Sequence, residues 1–305
     1  MEIKKVVLLG AGAVGAYFIW GLQEKLGDNF CIVAKGARKE KLETEGLMIN
    51  AKRYVPTVKE PEELEQVDLL IVACKYEALS EAMEDIRTIV KEHTTVISFL
   101  NGVTSEEMIG QVVGMEHLLY GVIRIGSIRD GNKITFSEEN TAGIYVGEKD
   151  VYEPTERVRA MEEVFRDTPI RYHFVENIMV DMWMKYASNI SQNLPQAILS
   201  VGFQAYKDSK HVHFIAGQLW KEVAKVAGAK GIPLTDKFLL FRGVNPDARF
   251  STLQDLDAGR HTEIEMFAGE MIQMGNACGV PVPYCEYTYH LIKALEEKND
   301  GKFVY

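Results

Sequence analysis

Three polar residues on one helical stripe carry the first chemical signal. Lys185, Asn189 and Asn193 stand at i, i+4 and i+8. At about 100° per residue each four-residue step drifts by about 40°, so the three fall within an arc of about 80°. Asparagine is a poor helix former that prefers caps. Two of them with a lysine, in a stretch otherwise rich in Ile, Met, Trp and Ala, break a local rule. Such breaks concentrate at functional sites. A polar stripe is also what a water-facing helix shows. A cation and amide donors aimed at one point suit an oxygen that gains negative charge during reaction. Pro195, inside the same run, is expected to strand the Ser191 carbonyl and bend the axis.

A second polar set follows in residues 251–265, STLQDLDAGRHTEIE. Ser251 with Gln254, and Thr262 with Glu265, each fit a capping box, with Gly259 as the stop between two helices. Ser251 therefore reads equally as an N-cap or as a ligand-binding hydroxyl. Glu263 falls in a first turn, where the helix dipole favours a carboxylate. His261 beside Arg260 is left unassigned. No His/Cys/Asp/Glu set has metal-ligand spacing, so no metal is expected.

The third signal is Gly10-Ala11-Gly12-Ala13-Val14-Gly15, a G-x-G-x-x-G between a strand pattern and a helix pattern. The first glycine permits the tight turn. The second lets backbone amides approach a pyrophosphate, and the third lets helix and strand pack closely. In that context the motif is a strong dinucleotide-binding signature. The end of the second strand selects the cofactor: a carboxylate there holds the ribose 2′-hydroxyl of NAD, a cation the 2′-phosphate of NADP. Here Lys35, Arg38 and Lys39 precede the first acid, Glu40. NADP (NADPH) is expected, with Lys35 and Arg38 as phosphate partners. Lys75 follows the buried run 68–74, and Asn101-Gly102 follows the run 94–100. Both sit where ligands bind in an open parallel sheet, beyond the carboxyl ends of strands. Lys75 reads equally as a helix-start lysine, and Asn-Gly is also an ordinary turn.

The elements that must position these residues divide the chain in two. Apolar runs at 6–9, 30–34, 68–74 and 94–100 alternate with helical periodicity at 14–26 and 76–91. That alternation predicts crossover units and a mostly parallel sheet, an α/β domain. Short strand patterns at 118–125, 133–136 and 143–146 lack intervening helices, so the sheet is expected to finish with antiparallel strands. Beyond about residue 174 only helices are expected, over 175–199, 211–228, 251–258, 262–277 and 284–298. The reading is a dinucleotide-binding domain over 1–172 and an all-helical domain over 173–305.

The 305 residues are 47% apolar and 26% charged, with a formal charge of −10. This composition fits folded domains and excludes a disordered or collagen-like chain. The acidic balance argues against a nucleic-acid or anionic-membrane binder. Cys31, Cys74, Cys278 and Cys285 form no C-x-x-C pair and read as reduced thiols in a cytoplasmic protein. Lys4 and Lys5 before an apolar run superficially suggest a signal peptide, but Gly10, Gly12, Gly15 and Gly21 interrupt it. No stretch is long and apolar enough to span a membrane. A homodimer is expected on general grounds.

Taken together the motifs resemble the ketopantoate reductase (2-dehydropantoate 2-reductase) family. The resemblance runs nearly end to end: GAGAVG at 10–15, Cys74-Lys75, Asn101-Gly102-Val103, WMKYASNISQN at 183–193, and residues 251–265. It implies an NADPH-binding Rossmann-like domain followed by a helical domain, with the active site in the cleft between them. The implied reaction reduces 2-dehydropantoate to (R)-pantoate, toward pantothenate and coenzyme A. On this resemblance Lys185 is the general acid and Glu263 positions the substrate through its hydroxyl. Asn189 and Asn193 hold its polar groups, and Ser251 holds its carboxylate. Asn101 orients nicotinamide or substrate, and Lys75 lies at the cofactor. The chain departs from the family at Phe136-Ser137-Glu138-Glu139, where many members carry a histidine, and at Met184 and Pro195. These departures leave open a different 2-oxo acid. A non-catalytic NADP-binding sensor is a further alternative, which intact Lys185 and Glu263 oppose.

Overall fold

A computed structural model describes residues 2–241 and 243–303. The chain forms two compact units, Met1–Met179 and Val180–Tyr305. The 172/173 boundary drawn from the sequence falls inside a strand that belongs to the first unit's main sheet.

In the first unit, β1 (Val6–Leu9), β2 (Phe30–Val33), β5 (Val58–Lys59), β6 (Leu69–Val72), β7 (Thr95–Ser98), β8 (Leu118–Arg124), β11 (Gly143–Gly147) and β12 (Tyr172–Phe174) make one sheet. Its order is β12-β11-β8-β7-β6-β1-β2-β5. β1 pairs parallel with β2 (Val6 opposite Phe30) and with β6 (Val6 opposite Leu69). Helices α1 (Ala13–Leu26), α2 (Gly36–Thr44), α3 (Tyr76–Ile89), α4 (Ser105–Val113) and α5 (Glu156–Phe165) supply the connections.

Both faces of the central strands are covered, which is why β1, β2 and β6 read as continuous apolar runs rather than alternating ones. Val6, Leu8, Ile32 and Ile71 pack on Phe18, Ile19 and Leu22 of α1 and on Met161 and Phe165 of α5. Val7, Leu9, Val33 and Val72 point the other way, against Leu79, Ile86 and Ile89 of α3. Each such buried side chain contributes roughly 1.5–3 kcal/mol of transfer free energy.

The expected antiparallel finish needs correcting. β8 runs parallel to β7, and β12 parallel to β11; within the main sheet, among the described residues, only the β8–β11 pair is antiparallel. Residues 133–136 leave the main sheet altogether. They form β10 (Lys133–Phe136) in a second sheet, ordered β4-β3-β10-β9, with β3 (Leu47–Ile49), β4 (Lys52–Tyr54) and β9 (Ser127–Asp130). The cause is local. The Gly131-Asn132 loop closes a tight β9–β10 hairpin, with Gly131 at φ +58°. The exposed-buried alternation of β10 then offers only Ile134 and Phe136 to a core. Phe136 meets Tyr17 and Trp20 of α1 edge-on, at centroid distances of 5.5 and 5.2 Å.

The second unit contains no strand among the described residues. The expected helix over 175–199 resolves into three pieces. These are α6 (Met179–Ser188), one π turn over Asn189–Asn193 and α7 (Leu194–Leu199), with Pro195 in the first turn of α7. α8 (Ala205–Asp208) and α9 (Lys210–Ala229) follow, then α10 (Ser251–Asp257). A second π turn, Glu265–Gly269, leads into α11 (Glu270–Cys278), and α12 (Pro283–Asn299) ends the unit. The two π turns lie against each other. The Tyr186 hydroxyl ties α6 to the second π turn by donating to the Phe267 carbonyl at 2.6 Å.

Candidate functional site

The glycine loop adopts the geometry its spacing demands. Gly10 sits at φ +109°, and a Cβ there would lie 2.5 Å from the Ala73 carbonyl carbon and the Cys74 nitrogen. A Cβ on Gly15 would lie 1.9 Å from the Gly10 oxygen, so α1 can approach β1 only because that residue is glycine. Gly12 is the N-cap of α1, with no side chain bonded to the first-turn amides and no acid in that turn. Those amides are orphan donors at the positive end of the helix. The backbone of Gly10, Ala11, Gly12, Ala13, Val14 and Gly15 thus fits a dinucleotide pyrophosphate. No group of three or more His, Cys, Asp or Glu suited to a metal occurs among the described residues.

The cations beyond β2 separate into two kinds. Lys35, the N-cap of α2, bonds Asp85 of α3 at 2.5 Å and has Glu62 at 3.8 Å. Its pKa is raised, first by the Asp85 hydrogen bond. Lys39 is likewise held by Glu63 at 3.0 Å. Arg38 makes no ion pair among the described residues. Its charge instead reaches Cys74, at the end of β6, whose thiol burial pushes up to about 11 while Arg38 opposes the shift.

Sequence reading missed a neighbour of Arg38. The nearest atom to a Cβ built on Gly12 is Nη1 of Arg129, at 3.8 Å, from the β9–β10 hairpin. Its pKa is lowered, first by burial and then by the Arg38 charge. The Arg-Asp-Gly-Asn run at 129–132 announces a hairpin, but nothing local says that the hairpin folds back onto the glycine loop. Lys75 is the exposed N-cap of α3. Asn101 is half-buried beyond β7, and Gly102 takes φ +91°, so the Asn-Gly pair does form a turn.

In the second unit the π turn reshapes the polar stripe. A four-residue step overshoots one turn of an α-helix, but a π turn closes i to i+5 and so holds more residues. The drift from Lys185 to Asn189 is therefore partly undone from Asn189 to Asn193. Lys185 lies half-buried in the last turn of α6. Asn189 is half-buried, and no hydrogen bond ties its amide among the described residues. Asn193 is buried, and its amide donates to the Ser251 hydroxyl at 3.4 Å. The fold thus joins Asn193 and Ser251, which lie 58 residues apart.

Neither capping box forms. Phe250, not Ser251, is the N-cap of α10, and the Phe250 amide donates to Gln196 Oε1 at 2.6 Å. The Gln254 amide goes to the Phe250 carbonyl, and the Ser251 hydroxyl accepts from Asn193 instead. Thr262 is claimed by Glu296 of α12 at 2.7 Å (backbone) and 2.8 Å (hydroxyl), not by Glu265. Gly259 does stop α10, at φ +64°. Glu263 is half-buried, and its carbonyl accepts from the Phe267 amide at 3.0 Å, at the entry to the second π turn. Of the five candidate residues in the second unit, Asn189 and Asn193 thus lie in one π turn, and Glu263 sits at the mouth of the other. Such turns are frequent at functional sites.

Residues 6–150 match the family described as "Ketopantoate reductase PanE/ApbA", and residues 177–296 its C-terminal counterpart. A 2-dehydropantoate 2-reductase of Pyrococcus horikoshii is 27% identical, covering 97% of this chain and 99% of its own length. An uncharacterized oxidoreductase of Bacillus subtilis, YkpB, is 26% identical over 96% and 99%. Among solved structures, D-mandelate dehydrogenase with NADH and anilino(oxo)acetate superposes with a TM-score of 0.83 at 24% identity, covering 97% and 99% of the two chains. A dimeric ketopantoate reductase from Staphylococcus aureus does so with a TM-score of 0.79 at 18% identity, over 97% and 99%. The two structures share the fold of this chain.

Proposed function

Because the chain belongs to the ketopantoate reductase family and is thereby an NAD(P)-dependent oxidoreductase, we propose that it reduces the ketone of 2-dehydropantoate to (R)-pantoate with NADPH. The observation that carries this reading is the polar stripe of the second unit, with Asn193 bonded to Ser251 beside Lys185 and Asn189. When bound, the dinucleotide supplies the hydride, and the protein supplies orientation and electrostatics. As an ammonium, Lys185 Nζ holds the proton that the ketone oxygen takes as its negative charge develops. Asn189 and Asn193 offer amide donors to the substrate's polar groups, Ser251 binds its carboxylate, and Glu263 positions its hydroxyl. In the first unit, Asn101 orients nicotinamide or substrate, Lys75 lies at the cofactor, and the 10–15 backbone holds the pyrophosphate.

A second reading keeps the mechanism and changes the acid. The structural likeness to a mandelate dehydrogenase and the departure at residues 136–139 favour a paralogue acting on another 2-oxo acid. Oxidation of NADPH, followed by absorbance with 2-dehydropantoate and a panel of branched and aromatic 2-oxo acids, decides. Turnover selective for 2-dehydropantoate supports the first reading, turnover only with another acid the second. A cytoplasmic location is supported by four free cysteines. A homodimer is supported by the dimeric Staphylococcus aureus structure. No helix of the described residues is long and apolar enough to cross a membrane.

A further inference from the structure

A buried carboxylate beside the Glu263 turn has no part in the chemistry described so far. Glu296 of α12 is 2% exposed, and glutamate is almost never buried to that degree unless it is paired. Its Oε1 accepts from both the amide and the hydroxyl of Thr262, at 2.7 and 2.8 Å. The Thr262 hydroxyl oxygen accepts in turn from the Ile264 amide at 3.2 Å. One carboxylate thereby fixes the peptide groups before Thr262 and after Glu263, the first directly and the second through a hydroxyl. Its Oε2 has the Lys293 ammonium at 3.1 Å. Lys293 also reaches Glu265 at 3.3 Å, and the Tyr289 hydroxyl donates to the same Glu265 carboxylate at 2.9 Å. Asp300, the C-cap of α12, holds His261 at 3.0 Å. Tyr289, Lys293, Glu296 and Asp300 stand at i, i+4, i+7 and i+11, inside an arc of about 60°. One face of α12 thus runs as a ladder along residues 261–265, with Glu296 as its buried rung.

We propose that Glu296 is a positioning residue, which holds Glu263 where that carboxylate meets the substrate's hydroxyl. The proposal deepens the reductase reading above and rests on it, since the role of Glu263 comes from there. Anchoring α12 does not by itself call for a carboxylate at 296. The helix already buries Cys285 and Ile292 and is capped at its start by Glu222. An apolar side chain would add to that anchoring without the desolvation cost of a charge. What it could not do is bind two donors of Thr262 at once. Those donors need a partner from elsewhere in the fold. Thr262 and Ile264 precede the first helical bond of this segment, from the Phe267 amide to the Glu263 carbonyl, so their amides have no intrahelical acceptor. Precision matters at such a point, because a shift of about 1 Å in a substrate-positioning group can cost on the order of 100-fold in rate.

The test is steady-state reduction, by NADPH, of 2-dehydropantoate or of whichever acid of the panel the native chain turns over. It compares the full-length protein with its Glu263→Ala, Glu296→Ala and Glu296→Gln variants and with the double variant Glu263→Ala/Glu296→Ala. NADPH affinity is read alongside from nicotinamide fluorescence. Glu297→Gln, at an exposed neighbour paired with Lys302 at 2.9 Å, controls for loss of charge from α12. Loss of a charged hydrogen bond to the substrate predicts a KM for the acid roughly 10- to 100-fold higher in Glu263→Ala. Glu296→Ala should raise KM by up to the same factor, with kcat within about threefold of native and NADPH affinity unchanged. Glu296→Gln keeps an acceptor for Thr262 and should restore KM to within about threefold of native. The double variant should be no worse than Glu263→Ala, because Glu296 acts through Glu263. A merely structural role would instead give additive losses, with kcat and NADPH affinity falling together. Additive losses overturn the proposal, as does a native KM in either single alanine variant. If Glu296→Ala does not fold, Thr262→Val takes its place in the same cycle. That variant removes the hydroxyl relay to Ile264 and keeps the Thr262 amide bond, and the same non-additivity with Glu263→Ala is expected. The underlying reading fails separately. Turnover by the native chain with additive variants keeps the reaction and loses the positioning. A native chain that binds NADPH yet reduces no acid of the panel loses the reaction, and the role of Glu296 with it.

Discussion

Lys185 is the residue on which the proposed chemistry turns. General acid catalysis contributes roughly 100- to 10,000-fold to a rate. Lys185→Ala is therefore expected to lower kcat by that order while NADPH titrates with unchanged affinity, and a variant that keeps native turnover removes Lys185 from the mechanism. Cys74 gives a pH signature at the same scale. Burial lifts its thiol to about 11 in the folded chain, against about 9 for a free cysteine. The raised value means that the folded state keeps a proton which the unfolded state sheds. Cys74 thus favours folding fully below pH 9 and loses that advantage between pH 9 and 11. The loss is about 3 kcal/mol. Urea denaturation of the native chain and of Cys74→Ala should give a stability difference that shrinks across this window; a constant difference contradicts the assignment. At this scale the sequence shows what depends on neighbours along the chain. The spacing of Gly10, Gly12 and Gly15 is such a case, since one turn uses all three. Arg129 is the opposite case, because its partner loop lies more than a hundred residues earlier.

Helices and strands were legible wherever one period ran unbroken. The apolar runs that became β1, β2, β6 and β7 and the amphipathic run that became α3 appear at their expected places. The π turns did not show as such, since hydrophobic periodicity tolerates one extra residue per turn. Their only local trace was the pair of asparagines ahead of Pro195. Caps were misread for a related reason: Ser251 and Thr262 have suitable neighbours in sequence, but Asn193 and Glu296 reach them first through the fold. Glu222 shows how far such a cap can travel. Buried in α9, it accepts the Tyr284 and Cys285 amides at 2.8 Å each and so caps α12 from 62 and 63 residues away. Glu222→Ala leaves two amides without an acceptor and should cost about 2 kcal/mol or more. A lowered urea midpoint with unchanged NADPH affinity is the expected result. An unshifted midpoint would show that other groups satisfy those amides.

Across the whole molecule, division into an α/β unit and a helical unit was readable from the change of period near residue 174, while the exact partition depends on β12 joining a sheet begun far earlier. Binding should report on that partition. NADPH at about 100 times its dissociation constant adds about 2.7 kcal/mol to the unit that holds it. For a unit of this size the melting transition should rise by roughly 5–10 °C. Calorimetry with and without NADPH tests this, and an unmoved transition would detach the glycine turn from cofactor binding. The sheet borders carry a consequence for assembly. The main sheet ends in a strand of two residues, β5, on one side and one of three, β12, on the other. Of the two outer strands of the smaller sheet, β4 has three residues and bears Lys52 and Arg53, and β9 is mostly exposed and bears Arg129 and Asp130. Rims this short or this charged give an incoming strand almost nothing to add to. Any pairing of two copies of the chain would therefore run through side chains rather than through a lengthened sheet.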